Sequence, residues 1–181
     1  MSFLKIAVTR EGFIPDEGSA ICRLLDDGFD VVHIRKPGFS VADMRRLIES
    51  VPARCHGRLI LHDAFELTRE YALGGVHLNS RNPMPPAHAL SVSRSCHSIQ
   101  ELSMPMPDGV PMAYQTLSPI FDSFSKQGYK SRFVIPDVIP YIQGLRVVAL
   151  GGVDFSKLPM LRDAGFYGAA MLGAAWKFEE K

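Results

Sequence analysis

The sequence predicts an α/β fold, a compact parallel (β/α)8 TIM barrel, on three observations. Eight short runs rich in Val, Ile and Leu recur along the 181 residues without strict polar alternation, the pattern of strands buried on both faces. Segments of helical period separate several of these runs, and parallel strands need crossovers of about a dozen residues. The runs also end, one after another, in residues able to do chemistry, and a parallel barrel gathers such ends on one face. An open doubly wound sheet is the competing arrangement. The count of eight runs favours closure, as does the lack of a GxGxxG after the first run.

The first run, Leu4–Val8, ends at Thr9. Residues 19–27 place Ala20, Ile21, Leu24 and Leu25 on one helical face. Val31–Ile34 carries His33 and ends at Arg35 and Lys36; Ser40 then suits an N-cap for Val41–Ser50, with Val41, Met44, Leu47 and Ile48 inward. Leu59–Leu61 ends at His62-Asp63, and residues 63–73 read as the next helix. Residues 76–78 carry His77 and end at Asn79, after which Pro83, Pro85 and Pro86 leave little room for a fourth helix.

The fifth run, 90–92, leads into Ser93 to His97. Pro105, Pro107 and Asp108-Gly109 mark a turn, and the sixth run, 112–117, ends at Ser118 before a polar loop over 122–132. Val147–Leu150 ends at Gly151-Gly152, and a helix over 154–164, with Phe155, Leu158 and Leu161 inward, stops at Gly165. The last run, 169–172, ends at Gly173, and the tail that follows makes a stunted eighth helix. The chain reads as one barrel domain over 1–181, short against the roughly 250 residues usual for this architecture. Apolar surface left near the first and last strands is expected to be covered in a homodimer.

A formal net charge of +1 with no long basic run gives no support to a nucleic-acid partner. No apolar run approaches the roughly 20 residues that span a bilayer, and the first residues lack a signal-peptide pattern. The three cysteines, Cys22, Cys55 and Cys96, are odd in number and far apart. That spacing argues against a disulfide framework and for a reducing cytoplasm, with Cys22 as helix packing and Cys96 an unactivated thiol.

Glycine at Gly151, Gly152 and Gly173 lets backbone N–H groups approach an anion, and the loops after strands seven and eight are the usual phosphate site of this barrel. Arg35, Lys36 and Lys126 add positive charge at the same mouth, suited to phosphate or diphosphate oxygens. Asp63 either caps a helix or offers an oxygen to Mg²⁺; with Asn79 and Asn82 on the next strand end, only one carboxylate is at hand. A tight magnesium site therefore requires a bound diphosphate, and no His/Cys spacing suggests zinc. His97, in Ser95-Cys96-His97-Ser98, is a candidate general acid/base or part of a helix cap. His77 reads as a core histidine, His33 as a residue able to face the lumen, and His56 and His88 as loop residues.

These motifs resemble those of the thiamine phosphate synthases and their relatives, the thiazole tautomerases. The resemblance rests on Arg58-Leu-Ile-Leu-His-Asp63, Gly74-Gly-Val-His-Leu78, Ser95-Cys-His-Ser98, Ser118-Pro-Ile-Phe-Asp-Ser-Phe-Ser-Lys126 and Ala149-Leu-Gly-Gly152, in that order. It implies a (β/α)8 barrel that joins hydroxymethylpyrimidine diphosphate to thiazole phosphate, releasing diphosphate with Mg²⁺. By resemblance His97, Lys126 and Ser95 are the catalytic groups and Asp63 is the metal ligand. The substrate-binding set is His33, Arg35, His62, Asn79, Ser118, Ser123, Ser125, Gly151, Gly152 and Gly173. Within it Arg35 meets diphosphate, with Lys126, and Gly152 with the Gly173 turn holds thiazole phosphate.

The chain departs from the family pattern in four places. Q-x-R-x-K becomes His33-Ile-Arg35-Lys36-Pro37, the Asn-Asp pair becomes His62-Asp63, the second magnesium carboxylate is Asn82, and G-Q after the fourth strand is Asn79-Ser80. A thiazole phosphate tautomerase, with His97 as proton shuttle, and a non-catalytic binder of thiazole phosphate are the alternative readings.

Overall fold

The computed structural model describes residues 3–106, 110–122 and 131–180. Eight parallel strands pair in sequence order and close on themselves: β1 (Leu4–Val8), β2 (Val31–Ile34), β3 (Leu59–Leu61), β4 (Gly75–Leu78), β5 (Val92–Cys96), β6 (Tyr114–Leu117), β7 (Val147–Leu150) and β8 (Gly168–Met171). Closure comes from the β1–β8 ladder, in which Ile6 faces Ala170 and Ala7 faces Met171.

The strands alternate between two cores. Ile6, Val8, Tyr114, Val148 and Ala170 fill part of the barrel's inside. Ala7, Val32, Ile34, Ala149 and Met171 point outward into the larger layer under the helices. Both faces are thus dry, as continuous apolar runs imply.

Helices α1 (Glu17–Asp26), α2 (Val41–Ser50), α3 (Leu67–Glu70), α4 (Ile99–Leu102), α5 (Ile135–Ile142) and α6 (Leu158–Asp163) supply the outer layer among the described residues. Ser40 caps α2 as expected: its Oγ accepts from the Asp43 N–H at 3.1 Å, and Asp43 Oδ2 accepts from the Ser40 N–H at 3.1 Å. Met44, Leu47 and Ile48 are buried, but Val41, the first residue of the helix, is 43% exposed. Gly165, at φ +87°, ends α6. Phe155, expected inward, sits in a 3₁₀ turn (Phe155–Lys157) and is exposed, edge-on to Phe29.

Several expectations change. The helix over 63–73 shrinks to α3, since Ala64 takes a left-handed φ of 54° that breaks any earlier turn. The fifth strand is not 90–92: Leu90 is 83% exposed, and the polar segment Val92–Cys96 enters the barrel instead. Helix α5 forms although Pro136 and Pro140 look like breakers in the sequence; the first stands in the opening turn, where proline is tolerated.

Between β4 and β5 no helix occurs among the described residues, as the prolines imply. Phe65, Ala89 and Met106 pack on Val76, Leu78 and Val92 in its place. After β8 only a 3₁₀ segment, Gly173–Glu180, follows. Its Trp176 is fully buried and donates Nε1–H to the Val8 carbonyl at 2.8 Å, covering surface the sequence left to a dimer partner.

Cys22 on α1 and Cys55 in the 3₁₀ segment Ala53–Arg58 form a disulfide, against the expectation of three separate thiols. Spacing along the chain misled here: α1 packs on that segment, and the Cα atoms of residues 33 apart come within 6.2 Å. Cys96 is a buried free thiol. No helix among the described residues is long and apolar enough to cross a membrane.

Candidate active site

The strand ends surround a cavity of about 410 Å³ at one mouth of the barrel. His33, Arg35, His62, Asn79, Ser95, His97, Ser118, Gly151, Gly152 and Gly173 all line it. Ser123, Ser125 and Lys126, and the Pro107 to Gly109 turn, lie outside the described residues.

The cavity floor is built from three imidazoles on neighbouring strands. His33 (1% exposed), His62 (7%) and His77 (1%) meet inside the barrel. Period-two geometry puts His33 and His77 on the lumen face, since Val32, Ile34, Val76 and Leu78 point outward. His33 Nδ1 lies 3.0 Å from His62 Nε2, and His33 Nε2 lies 2.6 Å from the Tyr114 hydroxyl. His77 Nδ1 is 2.8 Å from Ser93 Oγ, and its Nε2 is 3.0 Å from Ser95 Oγ.

Ser93 donates its one hydroxyl proton to the Val76 carbonyl. It therefore accepts from His77 Nδ1–H, which leaves the His77 Nε2 lone pair facing Ser95. Burial holds all three histidines below the usual imidazole range, His77 down to about 3; neighbouring positive charge adds to it, from His77 on His33 and His62 and from His97 on His77. The cluster is neutral at pH 7. Burial also raises the Tyr114 hydroxyl, which stays protonated.

At the rim, Asp63 is not a helix cap. Arg81 Nε and Nη2 approach its Oδ1 at 3.2 and 3.1 Å, Nη2 approaches Oδ2 at 3.0 Å, and Asn82 Nδ2 donates to Oδ1 at 2.8 Å. Asn79 Nδ2 donates to the carbonyls of His62 (2.7 Å) and His77 (3.2 Å), while its Oδ1 accepts from the Arg81 N–H. Asn79 thus ties the ends of β3 and β4 together. Arg35 pairs with Glu11 at 2.7 Å on the cavity edge.

Lys36 is not a mouth cation. It is buried, with Nζ donating to Glu17 Oε1 at 2.6 Å and to the Gly12 carbonyl at 2.5 Å. A side chain following Arg35 on the chain leaves on the opposite side, toward α1.

Ser98, not His97, caps α4, accepting from the Glu101 N–H at 3.2 Å. The His97 ring stands exposed at the mouth, with Nδ1 3.2 Å from Ser118 Oγ. On the far side, Gly151 (φ +93°) and Gly152 (φ +60°) turn tightly; a Cβ on Gly152 would lie 2.3 Å from the Asp122 carbonyl oxygen. Lys157 donates to the Gly152 carbonyl and pairs with Asp154 at 3.1 Å.

Sequence reasoning missed Arg81, Tyr114, Thr116, Ser93 and Lys157. Alternation in Tyr114-Gln-Thr116 and Ser93-Arg-Ser95 could have found the lumen-facing ones. Thr116 Oγ1 is buried and has no hydrogen-bond partner among the described residues, and Thr116 lines the cavity.

The model of the thiamine monophosphate synthase family matches residues 6–175. The chain belongs to the thiamine monophosphate synthase family. A crystal structure of thiamine phosphate pyrophosphorylase from Bacteroides thetaiotaomicron is 33% identical, with 97% of this chain and 85% of that chain covered and a TM-score of 0.80. The Pyrococcus furiosus thiamine phosphate pyrophosphorylase, at 16% identity, shares the fold over 95% of this chain and 86% of its own, TM-score 0.76. Thiamine-phosphate synthase of Latilactobacillus sakei subsp. sakei (strain 23K) is 26% identical over 141 residues, 74% of this chain. Those residues span 62% of that curated relative, less than two thirds of its length.

Proposed function

We propose that this family member forms thiamine phosphate from hydroxymethylpyrimidine diphosphate and thiazole phosphate. The observation that carries the reading is one cavity shared by the Arg35 and Arg81 guanidiniums and the Gly151-Gly152 and Gly173 turns. It offers cations for a diphosphate on one side and a side-chain-free backbone for a phosphate on the other.

In this reaction the C–O bond between the pyrimidine methylene and diphosphate breaks, and diphosphate leaves with the electron pair. The thiazole nitrogen lone pair then forms the new C–N bond. Charge stabilisation and positioning dominate such a step. Arg35 and Arg81 hold diphosphate oxygens, with Lys126 in the same role from its loop. The resemblance adds Ser123 and Ser125 to the substrate-binding set, and Gly152 with Gly173 bind thiazole phosphate. Ser95, His33, His62, Asn79 and Ser118 shape the pyrimidine and thiazole pockets.

Magnesium is what the resemblance adds. Asp63 Oδ1 already accepts from Arg81 and Asn82, Oδ2 accepts from Arg81, and the adjoining acidic position is the amide Asn82. These residues do not fit a resident Mg²⁺.

That same ion pair favours a second reading, a thiazole phosphate tautomerase that dispenses with diphosphate and uses His97 as proton shuttle. One assay separates the two. Purified protein receives both synthase substrates, with and without Mg²⁺, and separately the carboxylated thiazole tautomer. Thiamine phosphate supports the first reading and aromatised thiazole the second; binding without turnover indicates a non-catalytic binder and overturns both.

An enzyme of small-molecule substrates is what we propose; the Cys22–Cys55 disulfide removes the thiol argument for a reducing cytoplasm. Among the described residues, Phe155 and Met160 are two exposed apolar side chains at or just before α6 that we assign to a homodimer contact. A sedimentation result of monomer at micromolar concentration removes that contact from the account.

A further inference from the structure

We infer that His33, His62 and His77 form a three-imidazole site for a borderline transition-metal ion of the Zn²⁺ class on the cavity floor. One ring nitrogen from each histidine lies within 4.8 Å of one from each of the others. With Zn–N near 2.0–2.1 Å, a tetrahedral ion needs N–N separations of about 3.4 Å. The observed contacts bracket that value: His33 Nδ1 to His62 Nε2 is 3.0 Å, and the cluster reaches at most 4.8 Å. Ring movement on the order of an ångström seats the ion.

The ligand chemistry is in place. Imidazole ligates as the neutral base, and burial keeps all three rings neutral. His77 Nδ1–H donates to Ser93, so its Nε2 lone pair is the one available on the lumen side. His33 bound through Nδ1 keeps Nε2–H for the Tyr114 oxygen, 2.6 Å away. Both arrangements are the outer hydrogen bonds that orient metal-bound histidines. Three nitrogens and no carboxylate suit zinc, copper, nickel or cobalt rather than magnesium.

Three protein ligands leave a fourth position, and this one opens to the cavity lined by Ser95 and Thr116. The otherwise unpartnered Thr116 Oγ1 can bond a water or substrate atom there. A hydrogen-bonded cluster of neutral histidines is the competing account. It needs no ion, and it places three desolvated imidazoles where branched aliphatic side chains usually fill a barrel. The proposal stands independently of which thiazole reaction the protein runs.

The test uses the full chain, stripped with a chelator and titrated with Zn²⁺ by calorimetry and with Co²⁺ by visible absorption. The site predicts one ion per chain, four-coordinate Co²⁺ bands, and no binding of Mg²⁺ to the histidines. Long-range ¹H–¹⁵N spectra of the wild-type protein must show Zn²⁺ shifting ring nitrogens of His33, His62 and His77. That readout needs no variant to fold. Tyr114→Phe should weaken Zn²⁺ about tenfold, His62→Asn should abolish stoichiometric binding, and His56→Ala with His88→Ala should change neither. Absence of stoichiometric binding at micromolar protein, or shifts confined to His56, His88 and His97, overturns the site.

Discussion

Arg81 and Asp63 form a forked ion pair, Nε and Nη2 at 3.2 and 3.1 Å from Oδ1 and Nη2 at 3.0 Å from Oδ2, where the family resemblance asks for a magnesium ligand. An arginine so placed occupies the carboxylate that a metal would use, and the pair as a whole carries no net charge. The first expected outcome is that calorimetry detects no Mg²⁺ binding at Asp63 without diphosphate. Arg81→Ala combined with Asn82→Asp provides two unpaired carboxylates and should create measurable binding. Because the pair is partly exposed, Arg81→Ala alone should cost no more than about 1 kcal/mol of stability.

The buried histidines make stability depend on pH. Their native pKa values lie below the ordinary 6.5, His77 at about 3. Between those limits the unfolded chain binds protons that the native cluster refuses, so stability falls as pH falls. Above the ordinary value neither state binds these protons and the slope vanishes. Chemical denaturation should show stability lost from about pH 6.5 downward, each histidine contributing up to about 1.4 kcal/mol per pH unit. Substituting His77 by Gln should flatten that slope.

The two glycine turns differ in what they tolerate. Gly152→Ala puts a Cβ 2.3 Å from the Asp122 carbonyl oxygen at a φ of +60°, and should destabilise by roughly 1–3 kcal/mol and raise KM for thiazole phosphate. A Cβ on Gly173 meets nothing within 4 Å. Gly173→Ala should therefore stay within about 0.5 kcal/mol of the parent in urea unfolding.

Thiol counting checks the crosslink. Unfolded without reductant, the chain should show a single reactive thiol, that of Cys96, which burial pushes up to about 11 in the native state. After reduction it should show all three cysteines. Closing a loop between residues 33 apart should make the reduced protein less stable by roughly 3 kcal/mol.

The barrel was legible because Val31–Ile34, Val147–Leu150 and their like are buried on both faces and cannot alternate. Arg94 and Ser95 hid the fifth strand: Arg94 reaches Gln115 on the outer side while Ser95 turns to His77, and apolar content marks neither. The cavity residues were legible as strand ends, but their partners were not. Arg81 meets Asp63 across 18 positions, His33 meets Tyr114 across 81, and Lys36 leaves the mouth for Glu17. Such pairings are set by which strands adjoin and which way each side chain points. The meeting of His33, His62 and His77 is hidden for the same reason, these histidines coming one each from three strands or strand ends rather than from one spaced motif.

Product analysis tests thiamine phosphate synthesis most directly. Purified protein incubated with hydroxymethylpyrimidine diphosphate and thiazole phosphate should yield thiamine phosphate and diphosphate in equal amounts, with Arg81→Ala markedly slower. No thiamine phosphate from the folded wild-type protein, with the carboxylated thiazole tautomer aromatised instead, would contradict it.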